Sequence, residues 1–319
     1  MDTRSYDFSD AKKSLGRVAL AMVAIVILSL AASLIIVYIL ERCPPLYNFF
    51  KNNELAAWIL NMVPLYGCAI PPALLILKKV PKGKLFRRPL EGSHFLEAIP
   101  ICIFMMYAGS IIGKIMSALI SGGTAVNPVE TYLEDYSILT FISVVILPPL
   151  VEEYVFRKTL IDHTVPYGEK WAVLLSAVTF GLIHQNFFQF FYAFGIGLVL
   201  GYIYVRTGRL RYTVILHGLL NFMGGFLAPW LAKFSALQEA ENFGIKEYLL
   251  LQLVAMYSVT TLGLMIFGLI RFIIRCKWIL WIPREKELPY GCGFKAVFLN
   301  PYMILFTLLS LGMSVYALF

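Results

Sequence analysis

Long apolar runs, parted by short polar stretches, dominate the chain. Nine of them are candidate membrane-crossing helices: 18–40, 56–77, 97–120, 137–157, 171–186, 187–205, 213–231, 248–270 and 302–318. A helix needs about 20 mostly apolar residues to cross the hydrocarbon core. In lipid only helices and closed barrels satisfy every backbone polar group, and these runs lack the alternation of a barrel strand. The pattern predicts an all-α fold, a polytopic transmembrane helical bundle of eight or nine spans. The fifth and sixth runs are parted by little beyond Gln185 and Asn186, so a hairpin that does not cross fully is also compatible with them. The polar stretches 78–97, 122–136 and 278–295 read as the soluble elements, and nothing in residues 1–319 marks a second domain beside this single integral-membrane one.

Composition strengthens the membrane reading. Of 319 residues, 59% are hydrophobic and 14% charged, and the mean hydropathy is +0.75. Soluble domains carry about 45–50% apolar and about 25% charged residues, so an aqueous enzyme, a disordered tail and a nucleic-acid binder are all disfavoured. The net charge of +8 would suggest phosphate binding in a soluble domain, but here its distribution accounts for it. With a cytoplasmic N-terminus, 22 of the 27 Lys and Arg residues fall in the inward segments, against Arg42, Lys51, Lys233 and Lys246 outside and Lys114 within a run. Such a bias sets orientation, with the N-terminus in and the C-terminus out. The first run is too long, and lacks the small-residue cleavage site, to be a removed signal peptide. Five scattered Cys show no disulfide or zinc-ribbon spacing. Gly109-x-x-x-Gly113 and Gly197-x-x-x-Gly201 would let helices approach closely. The aromatic stretch Phe187 to Tyr192 reads as a lipid-facing band or the lining of a lipid-accessible entrance.

Against this apolar background, a few ionisable residues stand at membrane depth: Glu152, Glu153 and Arg157 on the fourth run, His184 on the fifth and His217 on the seventh. A charged group at the centre of an inserted helix costs about 2.5–3.5 kcal/mol unless it is paired, so such residues mark function by default. Glu153 and Arg157 are four apart and share a helix face, with the acid on the favourable N-terminal side. Glu152 points about 100° away and faces a different neighbour. His217 and Asn221 also share a face, and Phe180 lies one turn before His184. Taken singly, each group has a structural reading: a satisfied histidine, a buried ion pair, a carboxamide tying helices together. Two of the four His fall inside apolar runs, whereas His94 and His163 lie in basic or polar surroundings. That clustering favours convergence on one site, provided the fifth helix is tilted or begins deep enough for His184 to reach the others.

Glu152-Glu153-Tyr-Val-Phe-Arg157, Phe180-Gly-Leu-Ile-His184 and His217-Gly-Leu-Leu-Asn221 resemble the EExxxR, FxxxH and HxxxN/D signature of the CAAX-type intramembrane endopeptidases, the CPBP or abortive-infection family. The resemblance covers residues 137–231, which read as the catalytic core, and departs in having Lys158 where many members have Gly. It implies that Glu152 activates water, that Glu153 and Arg157 support it, and that His184, His217 and Asn221 complete the site. Peptide hydrolysis needs such a base and donors for the developing oxyanion, in a pocket open to water. Glu152, His184 and His217 would also make an accepted Zn2+ set, while a metal-free glutamate mechanism, with His and Asn as oxyanion donors, uses the same residues; there is no His-Glu-x-x-His helix. The expected partners are the lipid bilayer and a membrane-associated peptide or protein substrate, with no nucleic acid. The expected location is the cell membrane, with the site opening to the cytoplasmic side. Two other readings use the same residues: a non-catalytic peptide-binding, immunity or signalling protein, and an ion-coupled transporter. The transporter is disfavoured by the lack of repeats.

Overall fold

The computed structural model describes residues 8–127, 137–235 and 244–319, so the tip of the loop expected at 122–136 lies largely outside the described residues. All regular structure among them is helical. The long helices are α1 (Phe8–Arg42), α2 (Glu54–Leu77), α3 (Gly92–Ser121), α4 (Ile138–Tyr167), α5 (Glu169–Leu182), α6 (Phe187–Thr207), α7 (Leu210–Phe234), α8 (Ile245–Cys276) and α9 (Pro301–Tyr316). Seven of these, all but α5 and α9, are long and apolar enough to cross a bilayer. The two exceptions are shorter, so the expected eight or nine spans are not all met by length and composition. At 14 residues α5 spans only about 21 Å, short of a hydrocarbon core of about 30 Å, and the 16-residue α9 is little longer. Outward-facing Leu34, Ile35, Val259 and Leu308 are the apolar surface that lipid covers in a membrane protein.

The chain forms two compact units. One comprises the chain up to Lys84 with Thr159–Leu175 and Ile282–Met313; the other comprises Leu85–Lys158, Ser176–Trp281 and Ser314–Phe319. In the first, α1 packs along α2, and the stretch after residue 281 is anchored by the buried Glu169, which pairs with Arg284 and accepts from the Ile282 amide at 2.9 Å. His163 also lies here and is 1% exposed, buried within electrostatic reach of Lys82 and Asp162.

The second unit holds every residue singled out as a candidate site. Its core is α3 against α6, joined by Leu216 and Leu220 of α7. Glycine makes the close approach possible: a Cβ on Gly109 would sit 2.4 Å from the Tyr192 Cα, and one on Gly113 would sit 2.5 Å from the Phe187 carbonyl oxygen. Phe187 to Tyr192 is thus the N-terminal turn of α6, clamped by its backbone against α3. Gly208, at φ 59, caps α6 in the left-handed conformation and turns the chain into α7.

Several spans leave regular α geometry. Turns of π-helix occupy Val63–Ala69, Ile142–Ile146, Tyr154–Ile161 and Asn221–Leu227. The first two precede Pro71-Pro72 and Pro148-Pro149. Proline has no N–H and its ring clashes with the carbonyl four residues back, so each pair disrupts the hydrogen-bond ladder just before it. The last two flank the site, a common position for π-turns.

Candidate functional site

Glu153 and Arg157 stack on the inner face of α4, and both side chains are fully buried. Arg157 Nε lies 3.1 Å from Glu153 Oε2. Its Nη1 donates to Ser176 Oγ at 3.0 Å, and Ser176 in turn donates to the Phe156 carbonyl at 2.9 Å. The guanidinium carbon lies 4.6 Å from the centre of the Phe180 ring. The charge is therefore held by an anion, a hydroxyl and an aromatic face together. Ser176 is absent from the motif reading. It stands one turn before Phe180, a hydroxyl on the face that carries the motif, and that spacing is the signal for it.

The other Glu153 oxygen, Oε1, accepts from His217 Nδ1 at 3.0 Å. Because the carboxylate can only accept, Nδ1 carries a hydrogen, and in the neutral form of the ring Nε2 is left bare. That nitrogen lies 3.8 Å from Glu152 Oε2. Glu152 is one-fifth exposed, yet its Oε2 is buried without a hydrogen-bond partner. The two carboxylates thus have separate tasks: Glu153 fixes the imidazole, and Glu152 faces it with a free oxygen.

His184 follows the end of α5, where Gln185 takes the left-handed conformation at φ 53, the one non-glycine residue to do so among the described residues. That conformation costs a β-carbon-bearing residue roughly 1–2 kcal/mol and turns the chain sharply after the imidazole. His184 Nδ1 donates to the Phe180 carbonyl at 2.7 Å, so this ring too presents a bare Nε2. The edge of Phe180 meets both imidazoles, with centroids 5.2 Å from His184 and 5.5 Å from His217. His184 is also within electrostatic reach of Glu152 and His217. Phe180 is therefore the plate around which Arg157 and both imidazoles are arranged.

Asn221 is placed differently. Its Nδ2 donates to the Val144 carbonyl at 2.9 Å. In α geometry that carbonyl would accept from residue 148 and in π geometry from residue 149, and both are proline. Asn221 thus satisfies an acceptor orphaned by Pro148-Pro149 and ties α7 to α4. Only its second amide hydrogen is left for chemistry.

Three residues beyond the motifs complete the surroundings. Asn186 Oδ1 accepts from the Gln189 amide at 2.8 Å and caps α6. Its Nδ2 donates to the His184 carbonyl at 2.8 Å and to Gln189 Oε1 at 2.7 Å, and Gln189 Nε2 donates to the Tyr192 hydroxyl at 2.9 Å. Tyr192 lies within electrostatic reach of Glu152. Their spacing of three residues puts Asn186, Gln189 and Tyr192 on one helix face, a signal obscured by reading the first as loop punctuation and the last as part of an aromatic band.

For the Zn2+ set, the donor chemistry of two bare Nε2 atoms and a carboxylate is suitable. Among the described residues, however, no three His, Cys, Asp or Glu side chains converge closely enough to hold a metal ion. Glu152, His184 and His217 as placed do not form that set.

Residues 134–223 match the family described as type II CAAX prenyl endopeptidase Rce1-like. The chain is 25% identical over 176 residues to the candidate membrane peptidase YdiL of Bacillus subtilis, covering 54% of this chain and 72% of that one. It is 28% identical over 215 residues to the membrane-embedded CAAX protease MroQ of Staphylococcus aureus, covering 59% and 84%. It is 29% identical over 156 residues to CAAX prenyl protease 2 of Arabidopsis thaliana, covering 38% of this chain and 50% of the plant protein. No solved structure matches significantly. All three motifs lie within the matched segment, and in that segment and in its helical membrane architecture the chain is similar to the membrane-embedded CAAX endopeptidases.

Proposed function

We propose that the protein hydrolyses a peptide bond in a membrane-associated peptide or protein tail, with Glu152 as the base that activates water. The observation that carries this reading is the free, buried Glu152 Oε2 set 3.8 Å from the bare His217 Nε2. A water between two such acceptors can donate one hydrogen to each and aim a lone pair at a carbonyl carbon.

As the water oxygen bonds to the scissile carbonyl carbon, its proton passes to Glu152 and the carbonyl electrons move onto oxygen. Collapse of that tetrahedral species breaks the C–N bond, and Glu152 returns the proton to the leaving amine. The products are a carboxylic acid and an amine, which become carboxylate and ammonium once the second proton of the water moves from acid to amine, and the glutamate is regenerated. His217, fixed by Glu153, orients the water, and positive charge on its ring is balanced by the same carboxylate. Arg157 keeps Glu153 ionised for that purpose. His184 offers a second acceptor to the incoming water or the leaving amine.

The names of the plant and staphylococcal relatives suggest a tail of the CAAX type as the first substrate class to try. The Lys and Arg distribution supports presentation from the cytoplasmic side of the cell membrane. The test is cleavage of an internally quenched, farnesylated CAAX peptide by purified protein, together with a comparison of membrane peptides from cells carrying wild type or Glu152→Gln. Loss of a general base lowers turnover by about 10²–10⁴-fold. A Glu152→Gln protein that cuts at the wild-type rate removes Glu152 from the mechanism.

A further inference from the structure

Two helices of the second unit meet where their sequences carry matching spacings. On α8, Gly268, Arg271 and Arg275 stand three and four apart and share a face; on α3, Glu97, Pro100 and Phe104 do the same. The two faces are pressed together: a Cβ on Gly268 would sit 1.9 Å from the Pro100 carbonyl oxygen, and the rings of Phe104 and Phe272 lie 6.0 Å apart. One turn from that contact both arginines reach Glu97. Arg271 Nε donates to Glu97 Oε1 at 2.7 Å, Arg275 Nε donates to the same oxygen at 2.8 Å, and each also brings its Nη2 to the carboxylate.

The Glu97 side chain is 11% exposed, whereas those of Arg271 and Arg275 are 32% and 41% exposed. One guanidinium neutralises that carboxylate, so the second leaves a positive charge in excess. Both arginines hold Glu97 by the edge that carries Nε and Nη2, which leaves the Nη1 of each to donate elsewhere. Beside them opens a cleft of about 410 Å³, to which Ser93 adds a hydroxyl and His94 a ring. The other acid of this segment, Glu91, is exposed and faces His94 at 3.8 Å. The rest of the lining is apolar: Leu96 and Phe267 are 66% and 50% exposed, and outward-facing Ile270 and Ile274 continue that surface along α8.

We infer that this cleft holds the phosphate of an anionic phospholipid headgroup, with Arg271 and Arg275 on the phosphate oxygens and the acyl chains along Leu96 and Phe267. Guanidinium groups are the donors best matched to phosphate, and basic pockets between membrane helices on the cytoplasmic side bind anionic headgroups. The distribution of Lys and Arg favours that side for residues 271–295. A soluble phosphate would use the same donors but gains nothing from the apolar border, so a lipid is the occupant that uses the whole cleft. Because the headgroup contacts both helices, it stabilises the folded protein by mass action.

The test reads binding alone and so does not depend on Glu152 or on peptide cleavage. Purified full-length protein in a neutral detergent is titrated with dioleoylphosphatidylglycerol, dioleoylphosphatidylcholine or glycerol 1-phosphate; bound lipid is counted by native mass spectrometry, and melting is followed alongside. Wild type is expected to bind the anionic lipid about 10-fold more tightly than the zwitterionic one. Arg271→Gln should weaken that binding by about 5-fold, the contribution of one basic residue near an anionic surface. Glu97→Gln/Arg271→Gln/Arg275→Gln removes both cations without leaving a carboxylate unpaired, and should weaken it by at least as much. A folded triple variant with wild-type affinity for phosphatidylglycerol overturns the inference. If that variant does not fold, Leu96→Glu decides instead: it leaves the ion pairs in place and sets an acid at the border of the cleft, so wild-type affinity there overturns the inference too. Equal binding of the two lipids by wild type has the same force. A melting temperature raised as far by glycerol 1-phosphate as by the anionic lipid makes the occupant a soluble phosphate and overturns the lipid assignment.

Discussion

Replacing Arg157 by methionine removes the positive end of a buried ion pair while keeping much of the side-chain volume. At the observed 3.1 Å, the attraction between Arg157 and Glu153 is about 5 kcal/mol for an effective dielectric of about 20. Burying the two ions costs several kcal/mol each, so the pair as a whole is close to neutral for stability. Removing one partner is another matter. Glu153 remains fully buried with His217 and the Thr213 hydroxyl to offset it but no full positive charge, and the expected loss is about 3–5 kcal/mol, or on the order of 10 °C in the melting temperature. The double variant Glu153→Gln/Arg157→Met keeps an acceptor for His217 and carries no buried charge, so it should recover most of that loss. Melting in detergent, followed by tryptophan fluorescence, reads all three proteins. If the double variant melts as low as Arg157→Met, the lost stability came from the contact with Phe180, 4.6 Å away, and the electrostatic reasoning fails.

The same geometry yields further expectations. Asn221→Leu leaves the Val144 carbonyl unsatisfied and should cost about 1–3 kcal/mol, seen as a lower melting temperature; an unchanged one would show that Val144 needs no partner. Gly109→Val forces a branched side chain into a space where even a Cβ would lie 2.4 Å from Tyr192, and should reduce the yield of folded protein measured by size-exclusion chromatography. Phe180→Ala removes the plate shared by Arg157 and both imidazoles and should destabilise by about 3–5 kcal/mol, with peptide cleavage lost as well. Cleavage should survive dialysis against a strong chelator, and metal analysis of active protein should find less than one ion per chain; loss of activity restored by Zn2+ would instead place a metal in the reaction.

Much of the site was legible in the sequence because charge in an apolar run is conspicuous. Glu152, Glu153, Arg157, His184 and His217 stand out for that reason, and helical spacing alone pairs Glu153 with Arg157. The helices α5 and α9 are shorter than their apolar runs suggest because those runs continue past the helix ends: Ile183 is as hydrophobic as any residue of α5, yet the chain has already turned toward Gln185. The partner of Asn221 is hidden for a different reason. Its cause is Pro148-Pro149, more than seventy positions away, and only a count of orphaned carbonyls connects them. Ser176, Gln189 and Tyr192 are uncharged, so nothing in hydropathy distinguishes them from ordinary polar spacing. Each lies one turn from another residue of its network, and that is the pattern to search for.

The π-turn at Tyr154–Ile161 has a practical consequence for anyone who probes this helix one residue at a time. A wider turn takes in extra backbone, so the angular phase of side chains beyond Ile161 slips relative to those before Glu153. A cysteine-labelling scan along Ile138–Tyr167 should therefore show two stripes of protection offset from each other. Fitted to a single helical wheel, the data would point the line of accessible positions at the wrong side of the helix, and an investigator would misjudge which labels report on the candidate site.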